Sequence, residues 1–322
     1  FATFYSTGVG INMHNYRFLV DNRVFSQLRI RGTWGETGKV NYPPFAARHT
    51  YTVQAGAWHT TGMGATLTYM GNEDLSWEKT STLNLGLDMT LFKRYTLNLS
   101  WYDKITNDLI TDVSIVPSSG FTSYKDNMGK VRNRGVEVNL NVNAIQKQDW
   151  GLNVFFRASH NKNRIMEISD ALKEYNQKVD DYYSKYPNYN KPLLKYTEGA
   201  SLTSIYAVRS LGISPANGQE VFLDANGKVT YDWNATNQVV VGNTEPKLQG
   251  SFGFNFRWKR WTLFTAALFE TGGDLYNSTL VDNVECADIW KSNVDKRVYT
   301  QRWLEPGDVA PLKSIKDRYQ VT

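Results

Sequence analysis

Runs in which apolar and polar residues alternate one for one, arriving in pairs joined by short polar turns, constrain this chain most. Leu83, Leu85, Leu87, Met89 and Leu91 are separated by Asn84, Gly86, Asp88 and Thr90. Across Phe92-Lys93-Arg94 follow Tyr95, Leu97, Leu99 and Trp101, separated by Thr96, Asn98 and Ser100. Successive side chains of a strand point to opposite faces, so each run predicts a strand with one greasy and one polar face. The pattern returns at Val136, Val138, Leu140 and Val142, then after a turn at 146–149 at Trp150, Leu152, Val154 and Phe156. A third pair, Phe252 to Trp258 and Trp261 to Phe269, turns at Lys259-Arg260, and a weaker one joins Val9 and Ile11 to Leu28, Ile30 and Trp34.

These runs predict about eight strands of roughly nine to fourteen residues. That suits tilted strands crossing a bilayer better than soluble strands of about five or six. The short turns at 92–94, 146–149 and 259–260 alternate with long excursions at about 36–77, 107–130 and 165–247. Short connections on one side and long ones on the other is the arrangement of outer-membrane barrels. Phe92, Tyr95, Trp150, Trp258 and Trp261 bracket the short turns, where a girdle of interfacial aromatics belongs. The expected fold class is therefore all-β, a transmembrane antiparallel β-barrel with long extracellular loops.

Composition agrees without deciding. The chain has 322 residues, 41 % apolar and 14 % aromatic, with a mean hydropathy of -0.47. The longest apolar candidate, residues 263–269, is far short of the ~18 residues that a spanning helix needs. The net charge of +5 is scattered. Its densest basic cluster, Arg257, Lys259 and Arg260, lies at a turn and argues against a nucleic-acid partner. One cysteine, Cys286, allows no internal disulfide. No initiating Met and no leader open the chain, which reads as a portion of a longer protein.

No catalytic constellation emerges. His14, His49, His59 and His160 lack metal-ligand spacing. No nucleophile elbow, phosphate-cradling loop or paired-Cys motif occurs. Asp224, Asn226 and Gly227 match a fragment of a calcium loop without its distal acid, and suit a hairpin turn better. The adjacent carboxylates Glu73-Asp74 and Asp180-Asp181 read as solvated charges. We expect no enzyme, no cofactor and no metal.

Binding is the better prospect. The polar strand face carries Asn84, Asp88, Asn98, Glu137, Asn139, Asn141, Asn143, Asn153 and Arg157, a wet surface that eight strands could not close around. A wider barrel follows. Aromatic side chains crowd the excursions, and Trp58, His59, Tyr69, Tyr124, Tyr206, Trp233 and Tyr276 are the candidate ligand contacts. Trp77, Tyr182, Tyr183, Tyr186, Tyr189 and Trp290 accompany them. The longest excursion reads as an amphipathic helix over 164–185, with a second start possible at Ser169-Asp170, and as a hairpin over 221–231.

Several stretches resemble one family. Leu28-Arg29-Ile30-Arg31-Gly32-Thr33-Trp34-Gly35-Glu36-Thr37-Gly38 is similar to the "LR-x-S-[YW]-G-x-TG" strand end of SusC/RagA-type TonB-dependent transporters. Asn72-Glu73-Asp74-Leu75-Ser76-Trp77-Glu78-Lys79-Thr80 resembles their "NPDLKWEKT", with Glu73 where Pro is usual. Val116-Pro117-Ser118-Ser119-Gly120-Phe121 and Asn127-Met128-Gly129-Lys130-Val131-Arg132-Asn133-Arg134-Gly135-Val136-Glu137 resemble the family's "P-x-x-x-G" and "N-x-G-x-[VI]-x-N-x-G-[VI]-E". Val241-Gly242-Asn243-Thr244-Glu245-Pro246-Lys247 and Gly272-Gly273 follow in family order, with Asn243 where an aromatic or Arg often sits.

The resemblance implies a barrel of about 22 strands. Residues 1–322 would form part of its single barrel domain, with the plug domain and barrel termini absent from this chain. It implies multi-pass residence in the outer membrane of a Gram-negative bacterium, contact with membrane lipid or lipopolysaccharide, and energising by TonB through the plug. It also implies a SusD-like surface lipoprotein as lid and an oligosaccharide or peptide as cargo. The 164–185 helix and the hairpin at Asp224 are the expected lid contacts. The alternative is a soluble or surface β-protein that binds glycans through aromatic loops without transport. A weaker one is an adhesin or passive porin.

Overall fold

A computed structural model describes residues 3–17, 19–20, 22–40, 45–114, 120–121, 123–127, 129–186, 195–291 and 293–317. The chain forms two compact units: Phe1–Tyr175 with Thr197–Leu202 and Pro246–Gly272, and Asn176–Tyr196 with Thr203–Glu245 and Gly273–Thr322.

The first unit is built on one antiparallel sheet of eight strands. They are β1 (Ser6–Asn12), β2 (Phe25–Lys39), β3 (Glu78–Leu91), β4 (Tyr95–Asn107), β5 (Gly129–Gln146), β6 (Trp150–Ile168), β7 (Leu248–Trp258) and β8 (Trp261–Thr271). Their order in the sheet is their order in the chain, so each strand pairs only with its sequence neighbours. Such a meander is what up-and-down barrels use to link strands by hairpins. Among the described residues the sheet is open, with β1 and β8 at its edges. No described helix is long and apolar enough to cross a membrane, and strands are the spanning elements of a barrel.

Register carries the alternation from β1 to β6. Ile11, Ile30, Leu87, Leu99, Val138 and Ala158 stand opposite one another in turn from β1 to β6. One residue away, Arg29, Asp88, Asn98, Asn139 and Arg157 form the matching polar row from β2 to β6. A slip of one residue would exchange the faces, so the two-phase surroundings fix the pairing. The apolar face is not a packed core: Val9 is 69 % exposed, Leu85 49 % and Leu263 55 %. An exposed apolar surface of that extent belongs against lipid or a partner.

The polar face is held by side-chain bridges between strands. Asn98 Nδ2 donates to Asp88 Oδ1 at 2.9 Å, and Asn153 Nδ2 to Asn143 Oδ1 at 2.8 Å. Arg31 reaches across β3 to donate to Ser100 Oγ at 2.9 Å, passing 3.4 Å from Asp88 Oδ2. Gly135 leaves room for Tyr102, because a Cβ there would run into the ring and hydroxyl. The Tyr102 hydroxyl then reaches Asn161 Oδ1 at 3.0 Å.

Short turns and long excursions alternate as the sequence reading requires. Phe92 and Lys93 adopt φ of 51° and 55° between β3 and β4, and Lys259 adopts 52° between β7 and β8. At these turns Trp150 meets Trp258 at 5.9 Å, Phe92 meets Tyr95 at 6.4 Å, and Trp261 is 76 % exposed. The excursions are structured: Thr50–His59 pairs with Gly62–Tyr69, and Ile110–Ser114 with Ser123–Asn127. The strands run further than expected, trimming the excursions to 40–77, 108–128 and 169–247.

One expectation needs correction. Residues 164–168 are not helical; they finish β6, with Ile168 opposite Gly129. Helix α1 is Asp170–Lys185. Ser169 caps it, its Oγ accepting from Leu172 N at 3.4 Å. The spacing of Ile165, Ile168 and Leu172 mimicked a helical stripe, but Ile165 belongs to the strand, opposite Val131. Within the helix Leu172, Asn176, Val179 and Tyr183 are buried on one face.

Candidate functional site

Two features are built around chemistry: a clasp at the bases of the first two long excursions, in the first unit, and a cavity within the second unit.

The clasp joins residues far apart in sequence. Asn72 Nδ2 donates to Lys125 O at 3.2 Å and to Asp126 Oδ1 at 3.1 Å. Asn127 Oδ1 accepts from Ser76 N at 2.8 Å while its Nδ2 donates to Ser76 O and Asp108 O. Glu78, 5 % exposed, accepts from Ile110 N at 3.0 Å, and Lys79 pairs with Glu36 at 3.2 Å. Residues 28–38, 72–80 and 127–137 thus tie the loop bases to strand ends. Residues 116–119 and Met128 lie outside the described residues. Beside the clasp, Tyr124 donates to Asp126 Oδ2 at 3.0 Å. Burial, helped by the Asp126 carboxylate, pushes its hydroxyl up to about 12.

The second unit has a small apolar core of Val284, Ala287, Val298 and Leu312. Arg302, 4 % exposed, donates to the carbonyls of Val298, Lys313, Val284 and Glu285. Two small sheets stand on this base. One pairs Ser204–Ala207 with Val239–Asn243, and the other combines Arg209–Ile213, Glu220–Leu223 and Val229–Thr230. The hairpin expected over 221–231 is present: Asp224 Oδ1 accepts from Asn226 N and Lys228 N at 2.8 Å each, and Gly227 has a φ of 80°. The Asp224 carboxylate serves that turn. Asn243 anchors the end of its strand, accepting from Thr203 Oγ1 at 2.6 Å and Glu245 N at 3.0 Å.

Between these elements lies a cavity of about 190 Å³, walled by Tyr206, Phe222, Trp233, Tyr276, Glu220 and Glu285 among others. Lys313, 1 % exposed, sits 3.5 Å from Glu285 Oε1 and 3.9 Å from Glu220 Oε2. Burial pushes the Glu220 carboxyl up, and the Ser210 hydrogen bond and Lys313 oppose it. Burial, then the Asp282 and Glu285 charges, pushes the Tyr276 hydroxyl up.

Three of the seven candidate contacts, Tyr206, Trp233 and Tyr276, are therefore brought together. Tyr206 is 7 % exposed and forms wall rather than open platform. Trp58 and Tyr69 share the Thr50–His59/Gly62–Tyr69 hairpin, with Trp58 exposed. The Tyr69 hydroxyl is buried without a hydrogen bond among the described residues. Tyr124 stands in the other hairpin. The side chain of His59 and all of Tyr189 lie outside the described residues. Glu220, Glu285 and Lys313 were not anticipated, because no local pattern joins positions so far apart. The polar strand face adds a groove of about 400 Å³ lined by Glu137, Arg157, Gln249, Leu268 and Glu270 among others.

A meander apolar on one face and wet on the other, whose excursions 40–77, 108–128 and 169–247 all connect strands at the same end of the sheet, is a segment of a membrane β-barrel. The chain belongs to the TonB dependent receptor-like β-barrel family, whose profile matches residues 3–300. Members are outer-membrane receptors and transporters. It is 24 % identical to TonB-dependent receptor P3 of Formosa agariphila over 100 % of this chain and 35 % of that protein. It is 27 % identical to TonB-dependent receptor SusC of Bacteroides thetaiotaomicron, covering 79 % of this chain and 27 % of that one. Among solved structures, that of the RagAB peptide transporter matches with a TM-score of 0.78 at 24 % identity, over 97 % of this chain and 34 % of that one. The chain spans about a third of the length of the first of these relatives.

Proposed function

We propose that the protein carrying this chain imports an oligosaccharide or a peptide across the outer membrane, driven by TonB and closed outside by a SusD-like lipoprotein lid. In this reading residues 1–322 are wall and outer loops of one barrel domain, to which a plug and further strands belong. The observation that carries it is the register: an apolar row from β1 to β6 and a polar row from β2 to β6 on opposite faces of the sheet, with exposed apolar side chains on the first face. A structural relative described as the RagAB peptide transporter supports the peptide class, and a relative named TonB-dependent receptor SusC supports the dependence on TonB. Cargo is held among loops whose aromatics Trp58, His59, Tyr69, Tyr124, Tyr206, Trp233 and Tyr276 contact it. The wet inner face then gives it a path once the plug is pulled, and no bond in the cargo is broken. Helix α1 and the hairpin at Asp224 meet the lid.

The test is uptake of fluorescent oligosaccharides and peptides by cells lacking this gene, lacking TonB, or intact. Loss of uptake of one class in both mutants is expected. Uptake that persists without TonB overturns the reading. Surface binding with no TonB-dependent entry supports the glycan-binding alternative instead. Recovery of the lid should fall when α1 and the 220–230 hairpin are replaced by short linkers; undiminished recovery removes them from the lid contact.

A further inference from the structure

Toward the long excursions, the apolar face of the sheet ends in a cluster of cations. Asp103, Arg134 and Lys162 stand opposite one another on β4, β5 and β6, in the row that also holds Trp34 and Leu83. The next row of that face holds Glu36, Ser81, Ile105, Arg132 and Arg164. Arg134 thus faces Lys162, and Arg132 faces Arg164, two like-charge pairs stacked across β5 and β6. Side chains directly opposite have Cβ atoms about 5 Å apart, where like charges destabilise a sheet. Asp103 offsets part of this, its Oδ1 accepting from Arg132 Nε at 2.8 Å and its Oδ2 from Arg134 Nε at 3.1 Å. Glu36 is taken by Lys79, and in the row beyond Glu167 faces Lys130. Lys162 and Arg164 are exposed and have no ion-pair partner among the described residues. Such an arrangement calls for an anion from outside the chain.

The cluster lies where the hydrocarbon layer ends. From Tyr95, in the girdle at the short turns, to Ile105 is ten residues along β4. At about 3.3 Å each and a tilt of about 40°, that spans roughly 25 Å along the membrane normal, the height of a barrel's apolar band. Trp34 and Trp101 mark the upper boundary of the same face. The Trp34 indole N–H donates to Ser81 Oγ at 3.1 Å, toward the long-loop end, as an interfacial tryptophan should. Guanidinium groups match phosphate bidentately, and an ammonium adds a point charge. A zwitterionic phospholipid brings its own cation and gains little from this field. A sugar-linked phosphate brings none.

We propose that the Arg134–Lys162 and Arg132–Arg164 pairs bind the head-group phosphate of an outer-leaflet glycolipid of the lipopolysaccharide class, its acyl chains lying on the apolar rows of β4 to β6. The inference rests on the reading of the sheet as an outer-membrane wall with its long loops outside, and not on cargo or TonB.

The test is native mass spectrometry of the full-length protein in detergent, offered diphosphoryl lipid A, the same lipid dephosphorylated, or phosphatidylglycerol, with inorganic phosphate as competitor. Phosphorylated lipid A should be retained at least about tenfold more than its dephosphorylated form. Lys162→Gln/Arg164→Gln, which leaves the Asp103 network in place, should cut that preference severalfold. Asp103→Asn, which releases Arg132 and Arg134, should raise it, and it decides the matter where the double variant fails to fold. Inorganic phosphate should not displace the lipid, because the acyl chains add contacts that the free anion lacks. Equal retention of the two lipid A forms, phosphatidylglycerol held as strongly as lipid A, displacement by inorganic phosphate, or an unchanged preference in the folded variants overturns the proposal. Lipid preference without TonB-dependent uptake would sink import and leave this site standing; uptake without lipid preference would do the reverse.

Discussion

The eight-stranded sheet and the second unit stabilise themselves in opposite ways. The sheet leaves its apolar side chains outside, Val9, Leu85 and Leu263 among them, and keeps its polar side chains bridged to one another. The second unit does the reverse on a small scale, gathering four apolar residues and burying Arg302, Lys313 and Glu220 beside them. Where lipid covers one face and water the other, a strand needs only the right parity. Where a small unit must enclose its own core, every buried charge needs a particular partner. Parity is written locally in the chain; partnership is not.

The largest effect that separates the two is a charge on the greasy face. Leu85→Arg should cost about 2–4 kcal/mol of barrel stability, as Arg does near a bilayer midplane. Asn98→Arg on the polar face should cost a small fraction of that. Denaturant unfolding in lipid vesicles measures both, and equal costs would break the comparison. In the second unit, Arg302→Met strips donors from four backbone carbonyls, for a loss of roughly 1–3 kcal/mol. The loss should appear as faster hydrogen exchange over 273–317 with exchange in the sheet unchanged.

A smaller effect sharpens the account of the polar face. Gly135→Ala forces Tyr102 from its place, costing roughly 1–2 kcal/mol at the low end of overpacking. Removing the ring in Gly135→Ala/Tyr102→Ala should recover part of it. The smallest effect is a titration. The Tyr124 hydroxyl lies above its ordinary value of 10.0, at about 12. Its contribution to folding is therefore complete below pH 10.0 and fades as pH rises through about 12. Tyrosinate absorbance should lose one late-titrating group in Tyr124→Phe and in no early step.

The strand pairs from Val9 to Phe269 and their turns were legible because period two needs nothing beyond the neighbouring residues. The start of α1 was misread because Ile165 and Ile168 fall at helical spacing from Leu172 while belonging to β6, and the Ser169 cap was the better signal. The hairpins at 50–69 and 110–127 went unread because their alternation is shorter and interrupted. At the candidate site the aromatics Tyr206, Trp233 and Tyr276 were visible by type. The Glu220, Glu285 and Lys313 group was not, since their meeting depends on how distant segments pack. The resemblance marked Asn72 and Asn127, and the structure shows both fixing loop backbone; Asn243, a departure from the family pattern, also does so through Glu245 N.

The central claim is that the sheet is a wall between lipid and water. Spin labels placed one at a time along β4 from Leu97 to Trp101, in a Cys286→Ser background reconstituted in lipid, test it most directly. Labels at 97, 99 and 101 should respond to dissolved oxygen, and those at 98 and 100 to a water-soluble nickel chelate. Accessibility without that alternation, or water contact at all five positions, would contradict the account.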